Sequence, residues 1–188
     1  WQPSWPSSSH RASLASRVDD VRRIRLRRAT LLEERLGRAD KARTELEALL
    51  AATGDHLSVL RVLADLHQRL GAPLRAAPLW MRASAVTTNR DEAADLSKRA
   101  CEAYLAGGDV DAARRVIEGL GAWLQSPELL ELAVAVERRS GDARALGQAL
   151  EDLVGAGGHP VERHVALLVE AARAYDVAGQ PADALALA

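Results

Sequence analysis

The amino-acid sequence predicts an all-α solenoid of about four and a half helix–turn–helix units. Three regularities support this prediction: turn glycines at an interval near 34 residues, a helix-starting residue after each glycine, and small residues at two fixed places around it. Aromatic residues make up only 3% of the 188 residues, and Phe is absent. The core must therefore consist of Leu, Ala and Val, which suits closely approaching helices better than a β-sandwich.

The spacing of glycines sets the period. Successive turn glycines lie 34, 37, 33 and 38 residues apart, at Gly37, Gly71, Gly108, Gly141 and Gly179. Each follows an amphipathic stretch, where glycine suits the left-handed position that ends a helix. A residue that favours a helix start follows each one, at Asp40, Pro73, Asp109, Asp142 and Pro181. The spacing of the glycines and the helix-starting residues after them together indicate helix–turn–helix units of about 34 residues.

The helix boundaries follow from these glycines and helix-starting residues. The first helices are predicted at about 14–36, 56–70, 90–106, 127–140 and 160–178. The second helices are predicted at about 39–53, 73–87, 109–124, 142–155 and from 181 onward. The units are 14–54, 56–88, 90–125, 126–157 and a truncated 158–188. Ser126, Pro127 and Glu128 supply a cap, a pre-set φ and an early acid for one helix start.

Two segments depart from the regular pattern. Pro78 falls inside the second helix of unit two and cannot donate to the carbonyl of residue 74, so we expect a kink or a late helix start. Residues 1–10 read as an extended, polyproline-like lead-in to the repeat domain at 11–188. Trp1 and Trp5 in this lead-in either pack on the protein itself or a neighbouring molecule, or anchor another protein.

Side-chain size repeats with the same period. Seven residues before the turn glycines stand mostly small residues: Thr30, Ala64, Cys101, Val134 and Ala172. Five residues after them stand Ala42, Ala76, Ala113, Leu146 and Ala184. A large apolar residue recurs nine residues after, at Leu46, Trp80, Ile117 and Leu150. We expect the small positions to mark the closest approach of the two helices of a unit.

These features resemble the tetratricopeptide repeat (TPR) family. The resemblance is strongest in Ala-Cys-Glu-Ala-Tyr at 100–104 and Ala-Ala-Arg-Ala-Tyr at 171–175, where the tyrosine matches the family's tyrosine. Glu33 and Glu137 replace that tyrosine in units one and four. The resemblance covers about residues 20–188 and implies a right-handed array that acts as a protein–protein interaction scaffold.

The resemblance also implies where a partner binds. In this family the first helices line a concave groove, and the positions ten, six and two residues before each turn glycine should face it. The cations at these positions are the candidate partner-binding residues: Arg27, Arg35, Arg61, Arg69, Lys98, Arg139 and Arg173. An acidic peptide or the C-terminal carboxylate of a partner would suit them. Alternatively, Arg61 and Lys98 each have an acid four residues on and can pair on their own helix, which leaves Arg27 and Arg35 least compensated.

Other binding functions remain open. The segment 21–28 has five arginines in eight residues, which suggests either phosphate contact with nucleic acid or a solvated helix face. Nucleic acid is the weaker interpretation, because acids lie close by, no aromatic platform interleaves and the net charge is −1. A structural spacer within a longer, bacterial protein is a further alternative. Residues 1–100 have a net charge of +6 and the remainder −7, so head-to-tail self-association through the open C-terminal end is another candidate.

Catalysis is not predicted. The sequence has no Gly-rich phosphate loop, no Gly-x-Ser-x-Gly and no His-Glu-x-x-His motif. His159 and His164 are five residues apart and should face different sides of a helix, so we expect no metal or other cofactor there. Cys101 occupies a small packing position and should be a buried, inert thiol.

No apolar run reaches the length of a membrane span, and we expect a cytoplasmic location.

Overall fold

The computed structural model describes residues 8–121 and 126–187, the first eight of them by their backbone alone. Helices are the regular secondary structure of these ranges, and no strand occurs in them. In sequence order they are α1 (Ser8–Glu34), α2 (Ala39–Thr53), α3 (Leu57–Arg69), α4 (Pro73–Val86), α5 (Arg90–Gly107), α6 (Val110–Leu120), α7 (Pro127–Ser140), α8 (Ala143–Ala156), α9 (Val161–Val177) and α10 (Pro181–Ala186). The predicted all-α repeat fold is confirmed.

Most helix boundaries lie within one residue of the prediction, but the two ends of the first helix differ. α1 begins at Ser8, six residues before the predicted start, and ends at Glu34. The predicted extended lead-in therefore overlaps this helix at residues 8–10, while Trp1 and Trp5 lie outside the described residues. α6 ends at Leu120, and the rest of its predicted span falls largely on residues 122–125, which are also outside the description.

The turns within units three and four show why the backbone ends one helix and starts another. Gly108 and Gly141 adopt left-handed backbone angles, with φ of 83° and 77°, as expected for a residue that ends a helix. The next residue then caps the following helix. Asp109 accepts a hydrogen bond from the Ala112 amide at 3.0 Å, and Asp142 accepts one from the Ala145 amide at 3.0 Å.

Successive helices pack on one another, and the core consists of three apolar clusters that follow one another along the array. The small positions lie where the two helices of a unit meet. In unit three the Cys101 thiol sits 3.6 Å from the Ala113 carbonyl oxygen, and both residues are fully buried. In unit four the predicted Leu146 is only half-buried, and its neighbour Gly147 is buried instead. In α8 the buried small residue therefore does not lie at the position that the repeat pattern predicts.

Pro78 does not delay its helix. α4 begins at Pro73 as the capping pattern predicted, and it continues through Pro78 to Val86, so the late start is wrong. Pro78 is exposed, while Leu79 and Trp80 after it are buried. The proline thus lies on the solvent side of α4, where an unpaired carbonyl one turn earlier is accessible to water.

Candidate functional site on the first helices

The candidate surface is formed by the five first helices, α1, α3, α5, α7 and α9. We call it the first-helix face and define it by the positions ten, six and two residues before each turn glycine. These give five columns: Arg27–Leu31–Arg35, Arg61–Asp65–Arg69, Lys98–Glu102–Ala106, Glu131–Ala135–Arg139 and Val169–Arg173–Val177. All fifteen side chains are exposed or half-buried.

A bidentate ion pair joins α1 and α3. Arg69 donates from Nε to Glu33 Oε1 at 2.7 Å and from Nη2 to Glu33 Oε2 at 2.6 Å. This hydrogen bonding raises the pKa of Arg69. Glu33 stands in the place of the repeat tyrosine and retains only 17% side-chain exposure. A predicted partner-binding cation is therefore held by an acid of the preceding unit.

Ion pairs also join α3 to α5 and α5 to α7, but here the cation lies on the earlier helix and the acid on the later one. Arg61 of α3 donates to Glu92 of α5 at 2.7 Å, and Lys98 of α5 donates to Glu128 of α7 at 2.9 Å. The bond to Glu128 raises the pKa of Lys98. The two pairs within one helix that the sequence suggested, Arg61 with Asp65 and Lys98 with Glu102, do not form. Each cation instead reaches an acid about 30 residues later, on the next first helix.

α7 is tied to both of its neighbours. Arg139 Nη1 donates to the Leu105 carbonyl of α5 at 2.8 Å. Arg138 donates to both carboxylate oxygens of Glu170 on α9 at 2.7 Å. Polar contacts between side chains, or between a side chain and a carbonyl, thus join every pair of successive first helices. We call this set of contacts the inter-unit ladder.

The two end columns differ from the three between them. Within the described ranges, Arg27, Arg35 and Arg173 have no ion pair or hydrogen bond from their side chains, and all three are exposed. Exposed apolar side chains accompany them: Leu31 in the α1 column, and Val169 and Val177 in the α9 column. The first-helix face is therefore neutralised in its middle, while both ends keep unpaired cations beside apolar groups.

Comparison with known proteins identifies the fold. No protein-family model matches the sequence, and no curated protein matches it. Among solved structures, a MamA protein aligns over 90% of this protein and 88% of its own length, with 14% identity and a TM-score of 0.61. A Podospora anserina putative kinesin light chain with nearly identical TPR-like repeats aligns over 88% and 90%, with 23% identity and a TM-score of 0.53. A tetratricopeptide repeat protein from Parabacteroides merdae aligns over 88% and 62%, with 17% identity and a TM-score of 0.53.

The protein has the tetratricopeptide-repeat fold. In this fold's tyrosine position, four residues before the turn glycine, the five units carry Glu33, His67, Tyr104, Glu137 and Tyr175. Tyr175 is buried and donates to Glu151 at 2.5 Å; burial and this contact raise its pKa. Glu137 is buried too and accepts from Arg114 Nε at 3.2 Å and from Ser140. The two glutamates thus replace the tyrosine by serving as ion-pair acceptors.

The acidic halves of the inter-unit ladder could not be identified from a single tetratricopeptide unit. Glu92, Glu128 and Glu170 lie outside the fifteen positions that define the first-helix face. The only sequence signal for them is an acid about 30 to 36 residues from a cation on a neighbouring first helix. That signal becomes informative only once the period of the repeat is known.

The arginine-rich segment of α1 is mostly engaged with its own surroundings. Arg22 contacts Asp19 at 2.8 Å and the His56 ring at 2.6 Å, while Arg23 contacts Asp20 at 2.8 Å. Arg25 and Arg28 both lie 3.8 Å from Glu45 of α2. Acids therefore offset four of these five arginines, which favours a helix-bridging and solvated role over contact with phosphates.

The described residues offer little for covalent or metal chemistry. Burial of Cys101 raises the pKa of its thiol to about 12, so the reactive thiolate is scarce near neutral pH. His159 contacts the Leu153 carbonyl at 3.1 Å, while His164 is half-buried on α9. Across 8–121 and 126–187, no cluster of three His, Cys, Asp or Glu side chains could hold a metal ion. None of the described helices is long and apolar enough to cross a membrane.

Proposed function

We propose that the protein is a non-catalytic protein–protein interaction scaffold that holds a partner segment along the first-helix face. The observation that supports this most directly is the composition of the two end columns. Each places exposed apolar side chains one helical turn from an arginine without an internal partner. Arginine and accessible apolar groups side by side are typical of protein interaction surfaces.

The partner's chemistry follows from the order of groups in each column. The α1 column presents Arg27, Leu31 and Arg35, which suits an apolar side chain flanked by two carboxylates. The α9 column presents Val169, Arg173 and Val177, which suits one carboxylate between two apolar side chains. The proposed partner is therefore an acidic peptide or helix with interspersed apolar residues.

The other four predicted cations are assigned a weaker role in this binding. Arg61, Arg69, Lys98 and Arg139 already donate to groups on neighbouring first helices. A partner carboxylate would have to replace an existing contact, so the exchange yields little net binding energy. We therefore expect Arg27, Arg35 and Arg173 to dominate partner affinity, with the other four keeping successive helices in register.

A capture experiment tests the proposal with a matched control. The protein is immobilised and exposed to a nuclease-treated lysate beside a triple variant, Arg27→Glu, Arg35→Glu and Arg173→Glu. The control reverses three exposed arginines on second helices, at Arg75, Arg115 and Arg144, for which the described structure shows no ion pair. We expect a protein captured by the parent and by the control to be lost from the triple variant.

The choice of residues keeps folding separate from binding. Reversing Arg61 or Lys98 would set a glutamate against Glu92 or Glu128 and destabilise a junction between units. The three chosen arginines have no such internal contact, and circular dichroism checks that each variant remains folded. Equal capture by both variants would overturn the assignment to the first-helix face. Capture of nothing by the folded parent would instead favour a structural spacer.

A further inference from the structure

The outer side of α1 has a regular apolar and cationic stripe that shares one residue, Leu31, with the first-helix face. It consists of Arg17, Val21, Ile24, Arg28 and Leu31, spaced four, three, four and three residues apart. This is the spacing with which one helix of a coiled coil contacts another. The three apolar members are 55%, 66% and 46% exposed. We call these five residues the outer seam.

The apolar residues of the outer seam do not belong to the buried side of α1. Ala29 is buried, and Glu33 reaches Arg69 of α3, so these two residues mark the side of α1 that faces its own neighbours. Val21, Ile24 and Leu31 are exposed on the remaining surface of the same helix, and Arg28 lies at the edge nearest α2. A cleft of about 340 Å³ runs beside it, lined by Ile24, Arg27, Arg28, Leu31, Leu32 and Leu36. Its lining is apolar.

The charges of the outer seam identify the kind of helix that would fit. Arg17 makes no ion pair within the described part of the protein, and Arg28 is 67% exposed and reaches Glu45 only at 3.8 Å. None of the five seam residues is acidic. Two copies of this protein joined through their seams would bring arginines to the contact from both sides. A different helix, with carboxylates opposite the arginines, would satisfy them.

We propose that the outer seam docks an amphipathic helix of another protein, with apolar residues at alternating three and four spacing and acids facing Arg17 and Arg28. This is a second interaction surface, which shares only Leu31 with the first-helix face, and it does not depend on the partner proposed above. Apolar contacts with Val21, Ile24 and Leu31 supply affinity. The two arginines select the acidic helix over a neutral or basic one.

Two synthetic helical peptides test this proposal. Each has about 28 residues with leucine at the seam positions, since shorter isolated helices are marginal in water. At the two positions that would face Arg17 and Arg28, one peptide carries glutamate and the other lysine. Fluorescence anisotropy of the labelled peptides against the whole protein should show tighter binding of the glutamate peptide, by about tenfold at low salt and less at high salt.

Four variants make the result specific to the outer seam. The double reversal Arg17→Glu and Arg28→Glu should invert the preference, so that the lysine peptide binds more tightly. Val21→Ser with Ile24→Ser should weaken both peptides. The control Val161→Ser with Val165→Ser, at two exposed valines of α9, should change neither. Arg173→Glu should also leave peptide binding unchanged, which separates this proposal from the one for the first-helix face.

Several results would overturn the outer seam as a docking site for an acidic helix. Equal binding of the two peptides would remove the role of the arginines. Loss of binding in the α9 control as large as that in the α1 variant would show non-specific apolar adsorption. Sedimentation that shows a dimer of this protein, abolished by Val21→Ser with Ile24→Ser, would assign the seam to a second copy.

Discussion

Gly147 shows how closely two helices of neighbouring units approach. A Cβ built on this residue of α8 would lie 2.7 Å from Cε1 of the Tyr175 ring of α9. The ring cannot move aside easily, because Tyr175 is 4% exposed and its hydroxyl is bonded to Glu151. The buried glycine in α8 thus accommodates the bulk of the repeat tyrosine in the next unit.

We predict opposite effects for two glycine substitutions in α8. Gly147→Ala should lower the free energy of unfolding by about 1 to 3 kcal/mol, because the added methyl group overpacks the contact with Tyr175. Gly155→Ala is the control, since a Cβ there meets nothing within 4 Å. It should raise the free energy of unfolding by about 0.5 to 1 kcal/mol through helix propensity. Urea denaturation of the two variants beside the parent measures both; a change of the same sign in each would contradict the packing argument.

Other single residues show what the sequence could and could not specify. The small positions at Ala64, Ala76, Cys101 and Ala113 were predicted correctly, because close packing inside one unit depends on nearby residues of known spacing. Leu146 was not, since the buried small residue of α8 is Gly147, which packs against the tyrosine of the following unit. The sequence pattern of one unit contains no information about that ring's position.

At the scale of elements, the first helices are joined by charged side chains as well as by the apolar core. Each such pair is exposed or half-buried, so each should contribute little on its own. Arg69 with Glu33 is the best placed of them, because two parallel hydrogen bonds hold it and Glu33 is mostly shielded from water. It is therefore the pair in which a contribution should be measurable.

A double-mutant cycle on Arg69→Ala and Glu33→Ala should give a favourable coupling free energy of about 0.5 to 1 kcal/mol at low salt. The value should fall as the salt concentration rises, because exposed charges are screened. The same cycle on Arg115 and Glu118 serves as control, as both are exposed residues of α6 three apart without an ion pair in the described structure. A coupling for Arg69 and Glu33 no larger than that of the control would show that the contact contributes nothing to stability.

Helix boundaries could be predicted because they depend on nearby residues, whereas the contacts of the inter-unit ladder depend on how successive units pack. A helix start or stop depends on residues within one turn, as at Ser126 and Gly141, so local chemistry decides it. The first helix was the exception: the Trp, Pro and Ser residues at 1–10 favoured an extended segment, yet helix begins at Ser8. Partners such as Arg61 and Glu92 depend instead on how one unit is rotated onto the next. Pairing on the same helix, the alternative that the sequence offered for Arg61 and Lys98, does not occur for this reason.

At the scale of the whole molecule, burial is uneven along the array. The largest core cluster extends from α1 to α5 and includes the fully buried Val59, Leu60, Leu66 and Trp80. At the other end, Ala184 is the one buried residue described in α10. In a repeat array each unit contacts only its neighbours, so local stability should follow this distribution.

Hydrogen exchange should therefore vary strongly with position. We predict that amides in α3 and α4 exchange at least about 100-fold more slowly than those in α10, after correction for the intrinsic rates of the unfolded polypeptide. Exchange followed by mass spectrometry of peptic fragments measures this directly. Uniform protection along the array would contradict the prediction and indicate a single cooperative unit instead of a series of neighbours.

The inter-unit ladder has a consequence for how such an array can be rearranged. If unit two, taken with Asp55 just before it, were duplicated in tandem, Arg69 of the second copy would meet the residue that corresponds to Glu33, which is His67. Arg61 of the first copy would meet the counterpart of Glu92, which is Asp55, and that carboxylate already holds Arg82. Although the units share one architecture, they are not interchangeable parts. The charged residues at the edges of each unit match those of its native neighbours, so they favour the native order of the units.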